Sequence, residues 1–262
     1  MHNKRLLIAL ILIPVLILYI MYLPPVFFLV LVMGVGLLAQ YEFYALCRIG
    51  TGYRMLGMGA GLLLMVLVYR GGGISDSFLA GAIIVFSSVR LFGRRSPENS
   101  LRDVSLMLLG VVYVPLLLSY QIKLREFGPE WIIYIDCCIW AADSAAYYVG
   151  KGFGKKKLYE SVSPKKTVAG AYGSVAGAVV VSAGASALLI RSLNIYQALV
   201  LGLVIGIASI IGDLVESMFK RDAGIKDSGT LLPGHGGFLD KIDGFVFVSP
   251  VVFWILTRVM VV

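Results

Sequence analysis

The chain has 262 residues, of which 59% are hydrophobic and only 15% are charged. A soluble globular domain rarely has this composition, so the sequence indicates an integral membrane protein. The formal net charge of +8 raises the alternative of a nucleic-acid-binding protein. The cations lie in short segments between apolar spans, however, so membrane topology is the simpler explanation and we expect no nucleic-acid partner.

Nine apolar stretches are candidates for membrane-spanning helices, because about 20 apolar residues cross a hydrocarbon core of about 30 Å. The third and fourth are shorter than ideal and could instead form a re-entrant pair. The predicted fold is therefore an all-α polytopic integral membrane protein with about nine transmembrane helices. The stretches cover residues 6–22, 26–46, 55–69, 77–92, 104–122, 131–150, 168–190, 195–219 and 244–262.

Lys and Arg are distributed unevenly between the two ends of these stretches. With the N-terminus in the cytoplasm, 18 of the 23 basic residues lie in segments that face the cytoplasm and 5 lie on the other side. Cytoplasmic loops carry an excess of Lys and Arg. The count predicts a cytoplasmic N-terminus and an external C-terminus, so the polar segments 151–167 and 220–243 both face the cytoplasm, where nucleotides are found.

The first 125 residues contain no group of side chains that resembles a reaction centre. We interpret residues 1–125 as membrane scaffold helices and residues 126–262 as the catalytic half of the protein. Glu42 and Arg90 lie near the ends of predicted spans. Long or acidic side chains in such positions can reach the membrane interface, and we expect both to do so.

Carboxylates appear inside the predicted spans of the second half. Asp143 lies about 10 Å from the cytoplasmic end of its helix, and Asp213 lies about 9 Å from the end of its own, at 1.5 Å per residue. A carboxylate inside a membrane helix is costly and is usually functional or paired. The matching depth indicates a shared site for Asp143 and Asp213. Asp136 lies seven residues before Asp143, on about the same face of the helix. We expect Asp136 to be paired or to face the interface.

Segment 151–167 carries six lysines and one acid, and it ends directly before the span 168–190. Thr167 can cap that helix, and the free backbone N–H groups of the first turn would then form an anion site reinforced by the helix dipole. On the eighth span, Asp213, Glu216 and Lys220 recur along one stripe. An internal ion pair that buries the helix end is the alternative interpretation of that stripe.

The most polar stretch is 217–243, SMFKRDAGIKDSGTLLPGHGGFLDKID. It combines four cations, four carboxylates, five glycines and His235. Carboxylates are ligands for Mg2+, cations bind phosphate oxygens, and glycines allow backbone N–H groups to approach a ligand. The ligand that this combination predicts is a metal-bound polyphosphate.

The run S-x-x-K-R-x4-K-D-S-G-x-x-x-P-G-H-G-G-x-x-D-x-x-D, from Ser217 to Asp243, resembles the signature of the phosphatidate cytidylyltransferases (CDP-diacylglycerol synthases). Three further elements resemble the same family: D-S-x-A-Y at 143–147, F-G-K at 153–155 and S-P-x-K-T at 163–167. The chain departs from the family at Lys241, where Arg or Asn is usual, and at Val168-Ala169, where Trp-Glu is frequent. The first departure keeps the charge, and the second removes any role that the Glu has elsewhere.

The resemblance implies a Mg2+-dependent nucleotidyltransferase of phospholipid biosynthesis that transfers CMP from CTP to phosphatidate, giving CDP-diacylglycerol and pyrophosphate. It implies CTP, phosphatidate and the lipid bilayer as partners, and a bacterial cytoplasmic (inner) membrane as the location, with the active site facing the cytoplasm. A second metal ion and a homodimer are further hypotheses. A phosphate monoester is largely dianionic at neutral pH, so the lipid is its own nucleophile and no general base is required.

Matching the signature residue by residue predicts the members of the site. The catalytic residues are Lys220, Arg221, Lys226, Asp227 and His235. The substrate-binding residues are Ser163, Lys165, Lys166, Thr167, Ser217, Gly236 and Gly237. The metal ligands are Asp213, Asp240, Asp143 and Asp243, with Asp213 and Asp240 as the main metal carboxylates.

Two other classes of membrane protein share some of these features. A CDP-alcohol phosphotransferase carries D-x2-D-G-x2-A-R, whose start is mimicked by Asp240-x2-Asp243-Gly244, but Phe247-Val248 stand where Ala-Arg should be and no acid follows Asp243. An ion-coupled transporter could use Asp143 and Asp213 as an ion path, but would not need the glycine-rich segment. Binding of CTP separates the three classes.

Overall fold

The computed structural model describes residues 13–71, 76–94, 96–229 and 236–260. Within those residues, eight helical segments are long and apolar enough to cross a membrane, and a shorter apolar helix, Ile13–Tyr22, belongs to the first predicted span. The predicted fold class, an all-α polytopic membrane protein, is confirmed.

The helices follow one another with short connections. They are α1 (Ile13–Tyr22), α2 (Pro25–Leu46), α3 (Thr51–Tyr69), α4 (Asp76–Gly93), α5 (Ser100–Val111), α6 (Tyr120–Glu126), α7 (Pro129–Phe153), α8 (Val168–Leu189), α9 (Ile195–Asp222) and α10 (Leu239–Ile255).

The two spans that the sequence predicts as short, the third and fourth, are longer in the structure. Helix α3 has 19 residues and α4 has 18. At 1.5 Å per residue these helices are about 27–29 Å long, close to the thickness of the hydrocarbon core. Each is therefore long enough to cross the membrane separately, and the alternative of a re-entrant pair is not supported.

The fifth span, Ser100–Glu126, has an irregular middle. Helix α5 passes into a wider helical turn at Val112–Leu116, which contains the buried Pro115. Proline lacks a backbone N–H, and its ring displaces the preceding turn, so the regular hydrogen-bond ladder cannot continue through it. A second short helix, α6, completes the span.

Both ends of the polar segment 220–243 are helical, which the sequence does not predict. Helix α9 continues to Asp222 and α10 begins at Leu239, five residues before the predicted start of its span. Lys220 and Arg221 lie in the last turn of α9, and Asp240 lies in the first turn of α10. These charges suit the helix dipole, which favours cations at the C-terminus and anions at the N-terminus.

The polar segment 151–167 contains a β-hairpin, which the sequence does not predict. Strands β1 (Lys157–Tyr159) and β2 (Ser163–Thr167) pair antiparallel. Strand β2 ends directly at α8, where the Thr167 hydroxyl accepts a hydrogen bond from the Gly170 N–H at 3.1 Å. The predicted cap of that helix is confirmed.

Helices α7 to α10 pack closely against one another. At Gly206 on α9, an added Cβ would lie 2.7 Å from Val175 Cα on α8, so only glycine permits this approach. Membrane helices associate through such close packing, because lipid tails are as apolar as the side chains.

Four aromatic rings connect the first half of the chain to α9 and α10. Phe43 of α2 contacts Tyr113 and Phe219, with ring centroids 5.5 and 6.1 Å apart. Tyr113 contacts Phe219 and Phe247 at 5.2 and 6.4 Å. Largely edge-on contacts of this kind fix the C-terminal end of α9 against α2.

Two charged residues of the first half are buried, contrary to prediction. Glu42 and Arg90 are each 2% exposed, so the expectation that they reach the interface is wrong. The Arg90 guanidinium donates to the Asp103 carboxylate at 2.8 Å and to backbone carbonyl groups of the segment that follows α4. A charged group with this many acceptors does not need water.

Candidate functional site

A cavity of about 530 Å³ lies where the hairpin meets α7, α8, α9 and α10. Both predicted polar segments contribute to its wall, together with small and apolar side chains. Acidic and basic groups therefore face the same space, as a metal-bound polyphosphate requires. The polar lining residues are Asp143, Lys151, Lys165, Lys166, Thr167, Ser174, Ser209, Asp213, Glu216, Lys220, Asp240 and Asp243.

Three carboxylates form a group that could hold a metal ion. One oxygen each from Asp213, Glu216 and Asp243 lies within 4.8 Å of the others. Asp213 and Glu216 share one face of α9, and Asp243 comes from α10. The Glu216 Oε1 atom is buried and has no hydrogen-bond partner among the described residues. Carboxylate oxygens are the ligands that Mg2+ prefers, so this group fits a divalent ion.

Glu216 is absent from the metal ligands that the sequence predicts. The sequence pattern that could have identified Glu216 is the helical stripe of Asp213, Glu216 and Lys220. That pattern indicates an ion pair with Lys220 as readily as a metal ligand. The structure shows both features together, since Lys220 Nζ lies 2.6 Å from Glu216 Oε2 while Glu216 Oε1 stays unpaired in the described part of the chain.

Asp240 lies in the same cavity but outside the group of three carboxylates. Its Oδ1 accepts from Lys220 Nζ at 2.6 Å, and its Oδ2 accepts from the backbone N–H groups of Ser228 and Gly237 at 3.2 and 2.7 Å. These contacts join α9, the start of α10 and the chain between them. The assignment of Asp240 as a main metal carboxylate stays a prediction.

Asp213 is also paired with the hairpin. Its carboxylate forms an ion pair with Lys166 of β2. On the other side, Ser217 Oγ donates to Asp213 Oδ1 at 3.3 Å. In this arrangement a cation and an acid of the site neutralise each other. A phosphate group bound to Lys166 would replace the negative charge of Asp213, and a metal ion bound to Asp213 would replace the positive charge of Lys166.

Asp143 and Asp213 both line the cavity, so the structure brings together the two acids that the sequence places at matching depth. Asp136 is buried, 6% exposed, and does not line the cavity. Of the two acids on α7, Asp143 therefore faces the cavity and Asp136, seven residues earlier, does not.

The N-terminus of α8 has fewer free donors than predicted. The Gly170 N–H donates to the Thr167 hydroxyl, and the Val168 N–H donates to the Lys156 carbonyl at 2.9 Å. Two of the amides that the sequence assigns to an anion site thus have partners within the chain. Thr167 acts here as a capping residue at the cavity wall.

Several predicted site residues do not line the cavity. Arg221 donates to the Val162 carbonyl of the hairpin at 3.1 Å and to the Ile225 carbonyl at 2.9 Å. Lys226 and Asp227 are exposed on the chain after α9. His235 lies outside the described residues. The predicted residues that do not line the cavity are Ser163, Ser217, Arg221, Lys226, Asp227, Gly236 and Gly237.

Comparison with known proteins identifies the family. A model of the cytidylyltransferase family matches residues 3–259. The phosphatidate cytidylyltransferase of Synechocystis sp. is 40% identical over 219 residues, which cover 71% of this chain and 73% of the relative. The protein of the same name from Staphylococcus epidermidis is 35% identical, and the match covers 75% of this chain and 72% of the relative. The one from Bacillus subtilis is 38% identical, and the match covers 59% of this chain and 58% of the relative. The chain belongs to the cytidylyltransferase family.

Proposed function

We propose that the protein transfers CMP from CTP to phosphatidate, forming CDP-diacylglycerol and pyrophosphate. The observation that carries the proposal is the cavity in which acids and lysines of both signature segments face one space. The relatives at 35–40% identity are named for this reaction, and neither alternative class is supported by the family match.

The reaction joins a phosphate oxygen of phosphatidate to the α-phosphorus of CTP. The bond between that phosphorus and the oxygen that bridges to the β-phosphorus breaks, and the electron pair leaves with pyrophosphate. The phosphate of the lipid is largely dianionic at neutral pH and attacks directly. The task of the protein is therefore to bring two anions together in line and to neutralise the charge that develops on the leaving group.

The lysines of the cavity suit this task. Lys166 on the hairpin and Lys220 on α9 approach the cavity from different elements. Lys165 and Lys151 also line the cavity, so four lysines and the carboxylates face the same space. We assign Lys166 and Lys220 to phosphate oxygens of CTP, because an ammonium group offers three donors and a full charge at one point.

Asp213, Glu216 and Asp243 are the residues that would hold Mg2+, with Asp143 beside them in the cavity. When bound, the ion neutralises phosphate charge and orients the triphosphate. A second ion is compatible with the number of acids. The dependence on Mg2+ is part of the proposal, and the charge of this acidic group supports it.

The lipid substrate and the location follow from the same cavity. Its wall includes Ala146, Ala171 and Ile210 beside the charged groups, so a headgroup could lie among the charges while its acyl chains stay in the bilayer. We place the cavity on the cytoplasmic side of a bacterial inner membrane. The excess of Lys and Arg at this end of the bundle and the bacterial relatives support that orientation.

The decisive experiment is conversion of phosphatidate by the purified protein in detergent with CTP and Mg2+. We expect CDP-diacylglycerol and pyrophosphate in equal amounts, and no product when CTP is omitted. A parallel reaction with CDP-diacylglycerol and an alcohol acceptor tests the phosphotransferase alternative. Release of CMP there, with no product from phosphatidate and CTP, would overturn the proposal.

A further inference from the structure

Glu42 connects the first half of the chain to the candidate site. It lies on α2 and is 2% exposed. Its Oε2 accepts from Ser228 Oγ at 3.0 Å and from the Leu239 N–H at 2.9 Å. Ser228 follows α9 and Leu239 begins α10, so a single carboxylate oxygen holds the chain on both sides of the connection between these helices.

The bond to Leu239 has the character of a helix cap supplied from another helix. The first amides of an α-helix have no partner within the helix, and a side chain just before it usually accepts from one of them. The residue before α10 is Phe238, which gives no such bond. The Glu42 carboxylate takes that place, and its negative charge also suits the helix N-terminus.

The chain around Glu42 is shaped to admit the carboxylate. A Cβ at Gly229 would lie 2.5 Å from Glu42 Oε1, and a Cβ at Gly237 would overlap Glu42 Oε2 and Ser228 Oγ. Any side chain at either position would displace the carboxylate. Gly229, which follows α9, and Gly237, which precedes α10, therefore both leave room for the Glu42 carboxylate.

The partners of Glu42 are adjacent to the partners of Asp240. Ser228 donates its hydroxyl to Glu42 and its backbone N–H to Asp240. Leu239, which donates to Glu42, directly precedes Asp240, and Asp240 pairs with Lys220. Next to Glu42, the Phe43 ring packs on Phe219, which directly precedes Lys220.

We propose that Glu42 is a positioning residue for the nucleotidyl transfer. By fixing Ser228 and Leu239, it sets where α10 begins relative to α9, and so places Asp240 against Lys220 without touching either residue. The first half of the chain then contributes directly to the geometry of the site, in addition to its role as scaffold. The kinetic part of this inference rests on the proposed function.

The test compares Glu42→Ala with Glu42→Gln in purified protein. Gln retains an oxygen that can accept from Ser228 and Leu239, whereas Ala removes it. We expect Glu42→Ala to lower kcat by about 10- to 100-fold, as small displacements of reacting groups do, with little change in KM for phosphatidate. Glu42→Gln should retain most of the wild-type kcat.

The matched control is Gln40→Ala on the same helix. Gln40 is also buried, but it donates to the Gly57 carbonyl and the Tyr44 hydroxyl, away from the site. We expect a lower melting temperature with unchanged kcat. Wild-type kcat in Glu42→Ala, an equal loss in Glu42→Gln, or an equal loss in Gln40→Ala would each overturn the proposal.

Amide hydrogen exchange supplies a readout that needs no activity. The amides at 236–243 should exchange faster in Glu42→Ala than in wild type, and at the wild-type rate in Glu42→Gln and Gln40→Ala. Inactive wild-type protein would refute the proposed function, while the exchange comparison would still decide the positioning role. Unchanged exchange in Glu42→Ala would refute that role.

Discussion

Lys220 and Asp240, twenty residues apart in the chain, form an ion pair of 2.6 Å between the last turn of α9 and the first turn of α10. Both residues line the cavity. The pair holds a cation of the site at a fixed depth, because the same ammonium also contacts Glu216. The relative position of the two helix ends thus determines where this positive charge lies in the cavity.

The first prediction concerns the carboxylates assigned to the metal. Asp213→Asn and Asp243→Asn keep the size of the side chain and remove its charge, so each should abolish CDP-diacylglycerol formation at any Mg2+ concentration. Asp136→Asn is the control, because Asp136 is buried in α7 and does not line the cavity. Product formation is measured over a series of Mg2+ concentrations. Near-normal turnover in either of the first two variants would remove that residue from the metal site.

The second prediction separates the two roles open to Asp240. If Asp240 mainly orients Lys220, Asp240→Asn should lower kcat and leave the Mg2+ concentration for half-maximal activity unchanged. If it is a metal ligand, as the sequence predicts, the variant should need much more Mg2+ or show no turnover. The hydrogen bonds to Lys220, Ser228 and Gly237 favour the first outcome. A Mg2+ titration of the purified variant decides between them.

The third prediction concerns Lys166, which pairs with Asp213. Lys166→Ala should raise KM for CTP, because a cation that would bind a phosphate oxygen is lost. Lys157→Ala on strand β1 is the matched control, since Lys157 is exposed and does not line the cavity. Steady-state kinetics with varied CTP give both constants. Equal KM values for wild type and Lys166→Ala would exclude a role for Lys166 in CTP binding.

The fourth prediction concerns the contact between α8 and α9. In Gly206→Ala the new Cβ would meet backbone and side-chain atoms of α8, so we expect a loss of about 1–3 kcal/mol of stability and a lower melting temperature in detergent. Gly184→Ala adds the same methyl group to α8 at a position where it would meet no described atom of another helix within 4 Å. That variant should melt at or above the wild-type temperature. Equal melting of the two variants would mean that the helices can separate at no cost.

The fifth prediction concerns orientation in the membrane. Single cysteines replacing Lys157 in the hairpin and Arg191 between α8 and α9 should be labelled from opposite sides, with residue 157 on the cytoplasmic side. The native Cys47, Cys137 and Cys138 must first be replaced. Labelling with a membrane-impermeant reagent in intact and opened vesicles gives the answer. Labelling of both positions from one side would contradict a membrane-crossing α8.

Local patterns in the sequence are enough to predict the class of fold and several of the side chains that line the cavity. Apolar stretches of about 20 residues predict the spans, because each must satisfy its own backbone hydrogen bonds in lipid. The position of Thr167 before an apolar run predicts its cap. The matching depths of Asp143 and Asp213 predict a shared site, because rise per residue is the same in every helix.

The tertiary structure alone decides which side chains meet. Glu42 and Ser228 are 186 residues apart in the chain, and neither residue carries a sequence signal for that contact. Glu216 and Asp240 are both acidic residues near helix ends, yet only Glu216 joins the carboxylate group of Asp213 and Asp243. The difference comes from how α9 and α10 cross and where α10 begins. Those are set by packing and by long-range hydrogen bonds, which the local order of residues does not encode.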